Sequence, residues 1–585
     1  MGLFRLIDIM QARAGWAARF GARLVELSFD PWKLLLIAGF AFSWLIPNHY
    51  MPWPAFESDL AMTAALAALA VLVVIRNPGS WSADALIASF LAVVLVPALQ
   101  WHADLLYFAG DAWMSGAYLF GFAFAMMVGR QARTMPNFVL DVVFGAALCA
   151  SLLSVGVQLY QWLGLQGLDE LSGLGVWLMN TSGARPAANL GQPNQLATLL
   201  LWGLVGVWWA FRRRWIGTGI AVTAAAYLLF GAAMTQSRTA WVGMIALGAC
   251  LLGYRRILDG SSIGATIFLL GLYFVLLIVG WDAIVKGLML ADAVPLAERL
   301  RPGHRIANWL VCLEAVQQRP WFGYGWGQVS VAQQSALLYG PASGEYLADA
   351  HNIVLDLILW NGMPLGLLIF AGFAIWLWKI MKTIAEPGDA LGLMALLVFL
   401  VHAMLEYPHA YAYLLLPTGL LIGSLGAHRF ESVIRIPRWS IGIALLAGTV
   451  LASGVFRDYR EATESMMQQR FAAARIGNSQ PGEARDLPLL TQLSAYLRTA
   501  RVDVGKPVPD EILDLMRKTS ERFPSDSTRF RYAMASANNG RPEVAREVLT
   551  KLCWVRAADD CKAVRAAWTE LAETSHPAMR GLLPP

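Results

Sequence analysis

For its first 455 residues the chain alternates long apolar stretches with short polar breaks, and then it changes character. A run of about 17–25 apolar residues is long enough to cross a bilayer as a helix. Such runs lie near 31–47, 59–76, 84–100, 112–129, 138–162, 195–211, 215–234, 239–254 and 262–281, and again near 363–381, 390–405, 411–427 and 440–456. They predict an all-α, polytopic membrane protein with about 13 transmembrane helices (12–14), since the pair around Met234 to Arg238 also reads as one long interrupted helix. A long external loop, about 281–351, separates the ninth span from the tenth. Its helix-like stretch Ile306 to Gln318 and its aromatic-glycine run Pro320-Trp321-Phe322-Gly323-Tyr324-Gly325-Trp326-Gly327 predict a folded cap. A second external loop, about 163–194, is rich in Gly, Asn and Gln.

Before the first span, residues 1–30 carry Arg5, Arg13, Arg19 and Arg23 among Leu, Phe, Ile and Trp. This predicts an amphipathic segment lying on the membrane surface; no small-residue cleavage site follows its first apolar run, which argues against a cleaved signal peptide. From 457 to 585 the pattern is that of a helical soluble domain, with segments at 458–475, 483–500, 509–522, 528–538, 542–553 and 560–574 divided by Gly, Pro, Asn or Ser. Tyr532, Ala533, Ala535 and Ala537, followed by Asn538-Asn539-Gly540-Arg541-Pro542, look like one helix-turn-helix unit of the tetratricopeptide (TPR) kind, although a solenoid needs about three.

Composition sharpens this division. Charged residues make up 15% of the chain against about 25% in soluble proteins, and 37 of the 85 fall at or after Arg457. The first three-quarters are therefore neither a soluble enzyme, a disordered chain nor a nucleic-acid binder. The net charge of +5 matters through its placement. Segments on one side hold thirteen basic residues, among them Arg76, Arg130, Arg133, the Arg212–Arg214 triplet, Lys379 and Arg429. The short segments on the other side hold two, Arg185 and Arg238. Basic residues concentrate in cytoplasmic loops, so the N terminus is expected inside and the tail outside. Cys553 and Cys561 then stand eight apart in an oxidising compartment, a pair for a disulfide as against two free thiols on helix faces.

Ionisable residues at the membrane's outer edge are costly and invite a functional reading. The outer side offers Arg238, the Arg301-Pro302-Gly303-His304-Arg305 cluster, His351-Asn352 and Glu406-Tyr407, with His49, Glu57, Asp111 and Gln195 near the same face. Arginines converging there would bind a pyrophosphate through bidentate guanidinium forks, and a histidine beside them would deprotonate a hydroxyl. Each residue also has a plain role: Arg238 as an interfacial anchor, Arg301 and Arg305 as a solvated loop face, His351 as a helix cap, Glu406-Tyr407-Pro408 as the end of a span. Asp349 invites a metal, but no second histidine or paired carboxylate lies close in sequence, so no metal site is expected.

The order of these segments resembles the bacterial O-antigen ligase, O-antigen polymerase and protein O-oligosaccharyltransferase superfamily. The segments are Gln236-Ser237-Arg238-Thr239-Ala240, Arg305-Ile306-Ala307-Asn308-Trp309, Pro320 to Gly325 and His351-Asn352. Pro47-Asn48-His49, Pro52-Trp53, Phe56-Glu57, Gly191-Gln192-Pro193-Asn194-Gln195-Leu196-Ala197-Thr198 and Glu406-Tyr407-Pro408 make it most similar to the protein O-oligosaccharyltransferase branch, over about 30–430. The resemblance implies a glycosyltransferase domain at 31–456 with a periplasmic cap, in a Gram-negative inner membrane, and a periplasmic tail. It implies en bloc transfer of an oligosaccharide from undecaprenyl diphosphate to a Ser or Thr hydroxyl of a periplasmic protein such as a pilin, without a nucleotide sugar, a metal or a cofactor; no nucleic-acid partner is expected. The alternative within the superfamily is ligation of O-antigen to lipid A core, or O-antigen polymerisation. On this reading Arg238 and Arg305, with Arg301 as a further candidate, hold the diphosphate, and His351 acts as base. Gln195, Asn194, Tyr407, Glu406 and His49 bind or orient the glycan or acceptor.

Overall fold

The computed structural model describes residues 30–582 apart from 48, 166–176, 181–184, 259–262, 291–294, 296, 298–302, 477–484 and 556–557. The N-terminal amphipathic segment (save its last residue, Asp30), Asn48 and Arg301 lie outside the described residues. The fold is almost wholly helical. In chain order the membrane part comprises α1 (Pro31–Leu45), α2 (Phe56–Arg76), β1 (Trp81–Ala83), α3 (Ala85–Val93), α4 (Val96–His102), α5 (Ala109–Ala132), α6 (Phe138–Trp162), α7 (Pro193–Arg212), α8 (Thr218–Met234), α9 (Arg238–Gly253) and α10 (Ile263–Gly287). The cap helices α11 (Arg305–Gln318) and α12 (Val329–Ala336) follow, then α13 (Ile353–Thr383), α14 (Pro387–Ala403), α15 (Ala412–Gly426), β2 (Ile434–Ile436) and α16 (Arg438–Ala473). The tail adds α17 (Thr491–Thr499), α18 (Asp510–Arg522), α19 (Asp526–Asn538), α20 (Pro542–Val555) and α21 (Ala558–Thr574).

Every expected span coincides with a helix or helix pair, but their lengths differ. Eight are at least 18 residues long and apolar enough to cross a membrane, with α3 and α4 counted together. The other five, α1, α8, α9, α14 and α15, are apolar helices of 15–17 residues. At 1.5 Å per residue these reach about 23–26 Å, short of a bilayer core of about 30 Å, so helix length supports eight of the thirteen. The break between α8 and α9 is real: Thr235, Gln236 and Ser237 separate them, with Gln236 at φ +50°.

Helices approach closely where side chains are absent. A Cβ on Gly423 of α15 would fall 1.8 Å from the carbonyl oxygen of Met126 on α5, and one on Gly129 2.1 Å from that of Leu420. Small residues at such crossings let backbones meet without the help of a hydrophobic effect inside lipid. At one end of the bundle, buried and half-buried ion pairs tie the helix ends together: Arg130–Asp84 at 2.9 Å, Arg133–Asp389 and Arg429–Asp389 each at 2.7 Å. There β1 pairs antiparallel with β2, Trp81 opposite Ile436.

At the other end the cap is folded, around Val311, Cys312, Tyr324, Trp326 and Trp360. Its aromatic-glycine run is joined to a break in α13, where Gly362 sits at φ +77°, ψ 167° and Pro364 follows. Pro364 has no N–H to offer the Trp360 carbonyl, which accepts instead from Gly325 N (3.2 Å) and Gln100 Nε2 (2.8 Å). Likewise the Leu359 carbonyl accepts from Tyr324 N at 2.7 Å, and Met363 N donates to the Pro320 carbonyl at 2.7 Å. The backbone groups freed at this break are thus satisfied by the cap and by Gln100 of α4.

The tail differs from expectation at its start. The helix expected at 458–475 is not separate: no breaker follows Gly454, and α16 runs unbroken for 36 residues, about 54 Å. Its far half begins the tail, whose own core includes Leu513, Met516, Tyr532, Leu549 and Trp568. Ser525 and Thr528 form a capping box at the start of α19, and Asn539-Gly540 turns the chain into α20. Cys553 and Cys561 are joined in a disulfide, with Cα atoms 4.9 Å apart.

Candidate active site

Four helices begin around the carboxylate of Glu406, which lies just beyond α14 and is held by a backbone bond from its own N–H to the His402 carbonyl (2.8 Å). Pro193 opens α7 and the Gln192 side chain caps it by accepting from Gln195 N at 2.8 Å, which places Asn194 in the first turn. Arg238 and Arg305 are the first residues of α9 and α11. Asn352 caps α13, accepting from Val354 N and Leu355 N at 3.0 and 3.2 Å, and His351 precedes it. Helix N-termini carry partial positive charge, so this convergence favours an anion.

The contacts form one chain. Ser237 Oγ donates to Asn194 Oδ1 at 2.6 Å, and Asn194 Nδ2 donates to Glu406 Oε1 at 3.0 Å. Arg305 Nη2 donates to the same oxygen. On the other oxygen, His351 Nδ1 meets Glu406 Oε2 at 2.7 Å. A proton on Nδ1 shared with Glu406 leaves Nε2 as the basic nitrogen, an orientation that suits proton abstraction. Burial raises the Glu406 pKa, but the hydrogen bond and charge of His351 and the charge of Arg305 outweigh it, so the carboxyl sits below its ordinary range. Tyr407 places its ring edge-on to His351 with centroids 4.9 Å apart; burial, with the Asp349 and Glu406 charges, pushes its hydroxyl up to about 12, so it remains a donor.

The structure therefore brings together His351, Arg305, Glu406, Asn194 and Tyr407. Gln195 adjoins them, accepting at Oε1 from the hydroxyl of Tyr413. His49 stands apart: its Nε2 bonds the Asn189 carbonyl, and burial lowers its pKa, so it braces the loop before α7. Arg185 was not singled out from the sequence as a site residue, because it is a lone arginine in a Gly- and Asn-rich loop. Its Nε donates to the Thr235 carbonyl at 3.0 Å; burial lowers its pKa, the Glu406 charge opposes this, and the nearby charges of Arg238 and Arg305 lower it further. Three arginines thus crowd one place.

Beside the site lies a cavity of about 540 Å³ whose walls are largely apolar, with Phe90, Leu119, Phe122, Leu357, Phe399 and Leu400 among them. Asp111, Tyr118, Asp349, His409 and Arg522 supply its polar lining. Asp349, Asp356 and His409 also bring ligand atoms within 4.8 Å of one another, a grouping hidden from the sequence because His409 lies 60 residues beyond Asp349. His409 Nε2 lies 3.5 Å from Asp356 Oδ2, and no hydrogen bond satisfies that oxygen or either ring nitrogen of His409.

The helix bundle thus carries, at one end and under the cap, a cluster of arginine, histidine and carboxylate. Three family models match the chain in order: protein glycosylation ligase at 186–211, O-antigen ligase at 223–371, and the C-terminal part of the virulence factor membrane-bound polymerases at 390–570. The chain is thus similar to the O-antigen ligase and protein glycosylation ligase families, and it is a glycosyl-transferring enzyme. It is 28% identical over 543 residues to the general O-oligosaccharyltransferase of Acinetobacter baylyi, spanning 89% of this chain and 91% of that protein. It is also 28% identical over 353 residues to the ComP-specific O-oligosaccharyltransferase of the same organism, spanning 59% and 62%.

Proposed function

We propose that this protein transfers a preassembled oligosaccharide from undecaprenyl diphosphate to a Ser or Thr hydroxyl of an acceptor protein, on the periplasmic side of a Gram-negative inner membrane. The observation that carries the reading is the His351–Glu406–Arg305 contact set at four converging helix N-termini. On this reading all thirteen apolar helices or helix pairs cross the membrane, and residues 31–456 form the transferase domain. His351 Nε2 takes the proton of the acceptor hydroxyl as its oxygen attacks the anomeric carbon. The bond from that carbon to the diphosphate oxygen breaks, and the configuration inverts. Negative charge growing on the leaving diphosphate is met by Arg238, Arg305 and Arg185, with Arg301 as a further cation, and by the helix ends. Gln195, Asn194 and Tyr407 orient glycan and acceptor, and the apolar cavity takes part of the polyprenyl chain.

The test is an acceptor assay in a host that makes an undecaprenyl-linked glycan, scoring periplasmic protein and lipid A core in parallel. Glycan on protein, lost in Arg238→Ala and His351→Ala with normal protein levels, is the expected result. The His351→Ala loss should be about 10²–10⁴-fold, the usual contribution of a general base. Full activity in His351→Ala overturns the base assignment, and glycan on lipid A core alone overturns the acceptor class.

A further inference from the structure

The tail meets the membrane part through contacts that lead toward the site. Phe56 stacks on Tyr459 with centroids 3.8 Å apart. Trp113 Nε1 donates to the Leu489 carbonyl at 2.6 Å, and Gly110 N to Thr491 Oγ1 at 2.8 Å. The last of these contacts comes from the end of α18. There Arg522 Nε and Nη2 donate to Asp111 Oδ2 and Oδ1 at 3.0 and 2.9 Å, with the two side chains 18% and 5% exposed. Both residues line the cavity, as does Asp349, and the charges of Arg522 and Asp349 act on one another. A fastening for the tail alone has no need of a guanidinium in that wall.

We propose that Arg522 is a positioning residue of the transfer site, supplied by the C-terminal domain, which holds the Asp349–His351 loop in place so that the site is incomplete without the tail. This rests on His351 being the base. The loop needs such support, because His351 adopts φ +54°, a conformation that persists only where its surroundings over-determine it. The ties are Ala350 N to Asp356 Oδ1 (2.7 Å), Trp309 Nε1 to the Ala350 carbonyl (3.0 Å), His351 to Glu406, and the Arg522 charge on Asp349. Asp349 is faced by His351, Asp356, His409, Tyr407, Tyr411 and Arg522. Burial raises its pKa to about 6, while the positive charges of His351 and Arg522 oppose the rise.

The experiment uses the full chain in membranes and compares Asp111→Asn/Arg522→Gln, Arg522→Lys, the exposed tail variant Arg541→Ala and His351→Ala. The double variant removes both charges while leaving groups that can hydrogen-bond, so the tail can stay docked; limited proteolysis reports whether it does. Expected is a protease-resistant double variant whose kcat falls about 10- to 100-fold with acceptor KM little changed, as a misplaced reacting group produces. Arg522→Lys should recover much of the rate, and Arg541→Ala should match wild type. Wild-type rate in the double variant, or a loss of rate that always follows loss of protease resistance, overturns the proposal. Activity in His351→Ala instead overturns the base assignment on its own account, whatever the Arg522 variants do.

Discussion

Glu406 is the residue on which the site's charge balance turns, since Arg305, Asn194 and His351 all bond to it. Its pKa is depressed, so the stabilisation it provides is fully present above the ordinary carboxylate range and is lost as pH falls through its lowered value. Glu406→Gln is therefore expected to lower thermal stability at neutral pH, by up to about 3 kcal/mol for a partly buried pair, and the gap to wild type should close on acidification. Melting curves of both proteins over the acid range check this; a gap that widens toward low pH contradicts it. The same residues make a second forecast. If arginines and helix ends carry the diphosphate charge, exhaustive EDTA treatment leaves transfer unchanged. A loss restored by one divalent cation would instead assign that ion to Asp349, Asp356 and His409, whose ligand atoms lie within 4.8 Å of one another.

Among the elements, packing of α5 on α15 is decided by glycine. A methyl on Gly423 would lie 1.8 Å from the Met126 carbonyl, whereas one on Gly442 meets nothing within 4 Å. Gly423→Ala should push these helices apart and cost about 1–3 kcal/mol, as overpacking does, while Gly442→Ala is neutral or slightly stabilising. Detergent-solubilised melting temperatures separate the two. Helix positions were readable from the sequence because apolar runs and basic breaks are local signals, and the sequence also picks out Arg305, His351 and Glu406, which the fold brings into contact. Contacts between distant segments were not. Asp111 and Arg522 are 411 residues apart and each reads alone as a surface charge. His409 gave no sign of facing Asp349, and Arg185 lies in a loop with no periodicity. His49 was readable as part of a motif, yet its bond to the Asn189 carbonyl depends on a turn 140 residues away.

For the molecule as a whole, the matches to three family models run from 186 to 570 and cross from the bundle into the tail, in keeping with a single working unit. The unbroken helix α16 gives that unity a mechanical form. A helix turns about 100° and advances 1.5 Å with each residue, so α16 acts as a screw thread whose pitch decides which way the tail faces. One alanine inserted after Val455 would rotate everything beyond it by about 100° and swing Arg522 away from Asp111, whereas four inserted residues would bring the heading back to within about 40°. Transfer activity should follow that angle rather than the added length, failing at one or two insertions and returning in part near four. The enzyme would then keep its tail in register much as a key is cut to a lock, by angular phase.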